Sequence, residues 1–280
     1  MFICQLLSVF GVSLSFKTLV SLQLYCLPPV PLTEGDIEKY LKDLLDYGVL
    51  RHDRVTKSYH FTSPKVRDQL FSSLTFSDRT KMHLGIIAYY NKSFGESIKE
   101  FYSILGHHYE GSQDYASAIK YYEDASIDEY TDGNYRDAIL NFSNLIRLAK
   151  KKKKVCKHTK LFKTVKSTTL CICTWLGYFA ASECHVLHFH NSLKLLDRAM
   201  DILSLHSICN NPMFFCSRMA QRTRLIQQIK SMQGKVKSYL HGKIVKNKSL
   251  NMREMEQEIF EDFPPLGWKP VESENLINLD

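Results

Sequence analysis

The residues best equipped for chemistry gather between Cys171 and His190. Cys171, Cys173, Cys184, His185, His188 and His190 supply thiols and imidazoles, the ligand types that zinc takes. If the run from Trp175 is helical, Cys184 and His188 lie four residues apart on one face and form the candidate metal pair. No paired C-x-x-C accompanies them, and Cys184 and His185 fall inside a helical repeat pattern, so packing is the simpler role. A nucleophilic Cys–His site would need a third, orienting group, and the sequence singles none out. His107 and His108, beside Tyr109, read as the exposed side of a repeat helix.

Phosphate chemistry finds no support. No G-x-x-x-x-G-K-[ST] occurs, so there is no Walker loop, and no set of carboxylates for Mg²⁺ stands out. The expectation is therefore a chain without catalytic residues, cofactor-binding residues or a cofactor of its own. Eight cysteines scattered through 280 residues, mostly in apolar runs, suggest reduced thiols in a cytoplasmic protein rather than a disulfide scaffold. The formal charge of +8 is concentrated, because Lys150–Lys166 holds nine lysines and no acid. A global nucleic-acid footprint is not supported, and no nucleic-acid partner is expected. The lysine run reads as a solvated linker, the alternative being a contact with acidic lipid, nucleic acid or an importin.

The elements that position these groups are helices. Tyr102-x-x-Leu105-Gly106-x-x-Tyr109, a turn at Gly111–Asp114, and Ala118-x-x-x-Tyr122-x-x-Ala125 form the tetratricopeptide (TPR) helix-pair pattern. Gly106 and Ala118 are small enough for two helix backbones to approach closely. The second half of the pattern recurs as Ala138-x-x-x-Phe142-x-x-Leu145 and as Ser192-x-x-x-Leu196-x-x-Ala199, the latter preceded by Leu176-x-x-Phe179-Ala180. Such pairs stack as a solenoid, whose function lies in what it holds. A long basic helix is expected within 212–246, with Met219, Ile226, Ile229 and Met232 apolar.

Upstream, Thr33 with Asp36 predicts a capped helix carrying Ile37, Leu41, Leu44 and Leu45 and ending at Gly48. Short strands at 49–51 and 58–61 follow, then a helix opened by Ser63-Pro64 with Val66, Leu70, Phe71 and Leu74 inward. Ser77 is expected to cap the next helix, which carries Met82, Ile86, Ile87 and Tyr90. Helix, two-stranded wing, helix is the outline of a winged-helix module. Residues 1–33 carry one charge, Lys17, and read as a buried segment whose partners lie in an upstream part; as a winged-helix remnant it would face Ile37, Leu41 and Leu44, and a membrane or signal role is the alternative.

The order of these elements resembles a known junction. Phe61–Asp68, Leu74–Arg79 and Met82–Tyr90 are similar to the region in AAA-like signalling ATPases where a winged helix, ending in F-x-H-x-x-[IV]-R-[DE], leads into TPR helices. Ser63 stands where that pattern has His. Such regions follow the paired cyclase domains in the soluble (type 10) adenylate cyclase family. Ser182-Glu183-Cys184 and Leu195–Ala199 also look like its later repeats, so the likeness spans about residues 15–205. It makes 16–29 a first winged-helix segment, and places the nucleotide-binding and cyclase domains upstream of Met1.

The expected fold is thus mainly α, a partial winged-helix module followed by an irregular TPR-like α-solenoid. The divisions are 1–75, TPR-like helices over 76–150, a lysine-rich linker over 151–170, further helices over 171–248 and a frayed tail over 249–280. The expected function is a non-catalytic regulatory or interaction fragment tied to cAMP signalling by resemblance, with protein partners on the helical repeats. Alternatives are a membrane-associated TPR adaptor, or a cyclase-family isoform that depends on another chain for catalysis.

Overall fold

Thr33 starts the first well-defined helix through a reciprocal cap. Its hydroxyl accepts from the Asp36 N–H at 3.2 Å, while the Thr33 N–H donates to Asp36 Oδ2 at 2.9 Å. This computed structural model describes residues 2–11, 13–26, 32–151, 168–205 and 215–246. Residues 152–167 of the expected lysine-rich linker and the tail over 249–280 lie outside the described residues, while Lys151 and 168–170, also assigned to that linker, are helical. Among the described residues the chain is mainly helical with a small sheet, and it divides into two units, Met1–Asp114 and Tyr115–Asp280.

In the first unit the helices are α1 (Phe2–Phe10), α2 (Phe16–Cys26), α3 (Glu34–Asp46), α4 (Pro64–Ser73), α5 (Phe76–Phe94) and α6 (Tyr102–Gly111), with a 3₁₀ turn over Gly95–Phe101. The strands are β1 (Leu14–Ser15), β2 (Leu50–Asp53) and β3 (Ser58–Phe61). They form one antiparallel sheet in the order β1-β3-β2, with Leu14 opposite Tyr59 and Leu50 opposite Phe61. Gly48, at φ 68°, ends α3, where the Gly48 and Val49 N–H groups donate back to Leu45 and Leu44 carbonyls at 3.0 and 2.9 Å. Ile37 and Leu41 are buried, as their spacing predicts, while Leu44 and Leu45 are half-buried.

Three expectations need correction here. Thr75, not Ser77, caps α5, because the acid that can answer a cap lies three residues on: Thr75 Oγ1 accepts from the Asp78 N–H at 3.2 Å and donates to Asp78 Oδ2 at 2.7 Å. On α4, Val66, Leu70 and Phe71 are only half-buried, and Ser63 makes no side-chain cap bond. The apolar N-terminal run finds partners inside the first unit rather than in an upstream part. It packs chiefly against α4 and α5, while α3 lies on β2. Ile3, Leu6, Leu7 and Val9 of α1 and Leu19 and Leu22 of α2 are buried there.

Close approach of α2 to α5 depends on Gly85. A Cβ at that position would lie 2.7 Å from Cys26 Sγ and 2.8 Å from the Tyr25 carbonyl oxygen. No described helix is long and apolar enough to cross a membrane.

The second unit holds α7 (Tyr115–Thr131), α8 (Tyr135–Lys151), α9 (Thr168–His185), α10 (Phe189–Leu205) and α11 (Phe215–Lys246). Consecutive helices pack pairwise, α7 on α8, α8 on α9, α9 on α10 and α10 on α11. The unit boundary falls in the turn at Asp114, so the two helices of the expected 102–125 pair belong to different units. Within the second unit, two turns share one geometry. Gly133 (φ 80°) and Leu187 (φ 65°) occupy the left-handed position. The Asn134 and His188 N–H groups reach back to Glu129 and Glu183 carbonyls at 2.9 and 2.7 Å.

The repeated positions, a small residue, a large one four later and an apolar one three beyond, are all inside. Ala118, Tyr122 and Ala125, then Ala138, Phe142 and Leu145, then Ser192, Leu196 and Ala199 are buried. On α11 the buried stripe is Leu225, Ile229, Met232 and Val236. Ile226 flanks that stripe rather than belonging to it, since a residue next to Leu225 turns about 100° away.

Gly85→Leu is expected to destabilise the chain by roughly 1–3 kcal/mol, since the clash is with backbone that cannot rotate away. Gly35→Ala, whose new Cβ would meet only Thr33 Oγ1 at 3.8 Å, should stabilise by about 0.5–1 kcal/mol through helix propensity. Denaturant midpoints of the two variants check both signs.

Candidate functional site

Helix α9 and the turn after it hold the thiol and imidazole groups but spread them along the helix, and Cys173, Cys184 and His188 each have another partner. The helix ends at His185, so Cys184 and His188 are not four apart along one helix. The chain reverses at Leu187, and His188 lies beyond the turn with its ring exposed. Its Nδ1 meets Glu183 Oε2 at 2.7 Å. Cys184 is fully buried, and its thiol donates to Ser192 Oγ at 3.1 Å. Burial pushes that thiol up to about 12, with the Ser192 hydrogen bond opposing, so the thiolate needed for metal binding or attack is absent at neutral pH. Cys173 is likewise pushed up to about 12 by burial, and its thiol points at the Ala199 carbonyl, 3.7 Å away. Cys171 is buried and reduced, and His190 is exposed. Among the described residues no group of three or more His, Cys, Asp and Glu is placed to hold a metal ion.

Inside the second unit the polar groups are embedded in aromatic rings. The His185 ring stacks on Tyr135 with centroids 3.9 Å apart and planes within 8°, and Tyr130, itself edge-on to Tyr178, lies 6.2 Å from it. Burial lowers His185 to about 4, which keeps it neutral. Trp175 donates from Nε1 to Glu123 Oε1 at 3.2 Å, tying α9 to α7.

The first unit holds a second imidazole cluster. His83 of α5 and His108 of α6 are both buried, and their Nδ1 atoms lie 2.9 Å apart. One ring must carry its proton on Nδ1 and the other must accept there, so the pair is hydrogen-bonded only while at least one ring is neutral. His108 Nε2 is buried and has no hydrogen-bond partner. Phe10 and Phe71 pack on the pair, with Phe10 6.1 Å from the His108 ring and Phe71 6.5 Å from the His83 ring. A Cβ at Gly111 would overlap the His83 imidazole, so only glycine lets the end of α6 pass that ring. Burial, then the neighbouring His107 and Arg79, lowers His83 to about 4. Burial, His83 and His107 hold His108 well below its usual value.

His108 corrects the expectation that both α6 histidines face outward: His107 is exposed and His108 is not. The signal was present in the spacing. His83 stands three, four and seven residues before Ile86, Ile87 and Tyr90, and His108 three after Leu105, so both share an apolar face. Of the repeat residues, Leu105, Gly106, Ala118, Tyr122 and Ala125 are buried, and Tyr102 and Tyr109 half-buried. The arrangement couples α5 to α6 through neutral imidazoles. It offers no activated nucleophile.

No family model, no curated protein and no solved structure matches this chain significantly.

The buried histidines set a pH window. Their folded values lie below the unfolded value near 6.5, so the unfolded state binds more protons between the two. Stability is therefore fully present above about pH 6.5 and is lost as pH falls towards about 4. For His83 alone the loss is of order 3 kcal/mol. His108→Leu, which removes the unpartnered Nε2, should shrink the loss measured by urea denaturation at pH 7 and pH 4.5. His107→Gln, on the exposed side, should leave it much larger than His108→Leu does.

Proposed function

We propose that this chain is a non-catalytic interaction scaffold whose helices of the second unit hold a protein partner. The observation that carries the reading is the recurrence of one buried register, a small residue, a large one four later and an apolar one three beyond that, at 118/122/125, 138/142/145 and 192/196/199. Two helices of that register pack on a neighbour at each side, α8 on α7 and α9 and α10 on α9 and α11, as stacked helical repeats require. Helix α3, strands β2 and β3 and helix α4 support the partial winged-helix reading of the first unit by their order alone. The finer proposal is a TPR-like solenoid behind a winged-helix remnant, cytoplasmic and related to the C-terminal part of the soluble adenylate cyclase family. Its role there would be regulatory, acting on cAMP production carried by other domains or another chain. Burial of Ile3, Leu6, Leu7 and Val9 within the first unit favours this over a membrane-anchored adaptor, because a lipid-facing helix would present those side chains outward.

Two measurements test the proposal. The purified chain with ATP and Mg²⁺ or Mn²⁺, with or without bicarbonate, is expected to form no cAMP above a heat-killed control; turnover above it would overturn the non-catalytic reading. Mixed with the paired cyclase domains of a soluble adenylate cyclase, the chain is expected to bind and to change their cAMP output. Absence of both binding and effect would remove the cyclase connection and leave the scaffold reading to stand on other partners.

A further inference from the structure

The outer face of α11 carries charge of one sign. Phe215–Lys246 contains eight Lys or Arg and no Asp or Glu. Its apolar stripe, Leu225, Ile229, Met232 and Val236, is buried. Arg222 donates to the Leu203 carbonyl at 2.7 Å and Gln233 to Asp197 at 2.8 Å, which ties the inner side to α10. At about 100° per residue, Lys230 and Lys237 form one outward row, and Arg224 and Lys235 a second row about 130° round the helix. Ser231, Gly234 and Ser238 lie in the lane between. Lys230, Ser231, Gly234, Lys235, Ser238 and Tyr239 line an open groove, and a Cβ at Gly234 would meet nothing within 4 Å.

The shape and charge select the occupant. The apolar stripe is committed to the protein, so α11 has no free face to sink into a bilayer. A narrow anionic segment lying lengthwise fits two cationic rows flanking a lane of small residues. The sequence contains such a segment close by: Glu254, Glu256, Glu258, Glu261 and Asp262 within nine residues, with no base among them. Residues 247–253 separate it from the end of α11 and span up to about 25 Å. Lys237 and Lys230 lie about 13 and 24 Å back along the helix from Lys246. A tether that short gives an effective concentration near millimolar. We propose that the outer face of α11 is the docking surface for the chain's own acidic run, Glu254–Asp262.

A carbodiimide, which joins a carboxylate to a lysine amine with loss of water, tests this on the full chain. A mixture of unlabelled and ¹⁵N-labelled protein separates links within a chain from links between chains. The expected products are same-chain amides from Glu254, Glu256 or Glu258 to Lys230 or Lys237. Their yield should fall about tenfold between about 0.1 M and 1 M salt, as the screening length shortens from about 10 to 3 Å. Lys230→Glu with Lys237→Glu, both exposed, should abolish links from the acidic run to this face. Adding Glu254→Lys and Glu256→Lys should restore them with the roles reversed. Links running only to Lys150–Lys166, links only between chains, or no links to α11 would each overturn the assignment.

Discussion

Most of the second unit depends on one constraint, the narrowness of a helix where it crosses its neighbour. Five residues after each left-handed residue at 113, 133 and 187 comes a small buried side chain, Ala118, Ala138 or Ser192. A larger group there would hold the backbones apart and strip the dispersion contacts that a dense interior supplies. Four residues on, where the two surfaces diverge, the gap is filled by Tyr122, Phe142 or Leu196. The first unit meets the same demand with Gly85 against Tyr25 and Cys26, and with Gly111 against the His83 ring.

That constraint is why much of the helical plan was legible in the sequence. Small residues at fixed distances from a turn leave a pattern that survives without any structure, as do the Thr33–Asp36 cap and the Gly48 stop. What was not legible followed from physical ambiguity at particular residues. Thr75 and Ser77 are both good caps, and only the reach of Asp78 decides between them. Leu187 is a poor residue for a left-handed turn, so nothing in its type announced that α9 would stop before His188. A one-dimensional reading continued the helix and placed Cys184 and His188 on one face. The apolar run before residue 26 left burial and a membrane role both open, because composition alone does not say that α4 and α5 cover it.

Histidine carried the largest misreading, because its type is compatible with either side of a helix. His107 and His108 are adjacent, and 100° of rotation separates solvent from core. Burying His108 beside His83 imposes a cost that the 2.9 Å hydrogen bond between them offsets only in part, since His108 Nε2 stays unpartnered. In the second unit two buried polar groups are paired between helices. Glu123 receives the Trp175 indole N–H, and the Cys184 thiol is spent on Ser192. These bonds cross between helices, so they fix which residue meets which in a way apolar contacts do not.

Ser192 shows how far such a bond can substitute for the small-residue rule. Where α7 and α8 present Ala118 and Ala138, α10 presents a hydroxyl to a fully buried environment. Unpaired, that hydroxyl would cost about 1–3 kcal/mol. The Cys184 thiol, eight residues earlier on α9, removes the cost by donating to it across the turn at 3.1 Å. The same bond engages the thiol's only proton, while burial pushes the thiol up to about 12. One contact therefore explains both why α10 can depart from alanine and why the cysteine nearest the exposed histidines is a packing residue. Chemistry at this turn would need the thiol freed, and freeing it would undo the joint between α9 and α10.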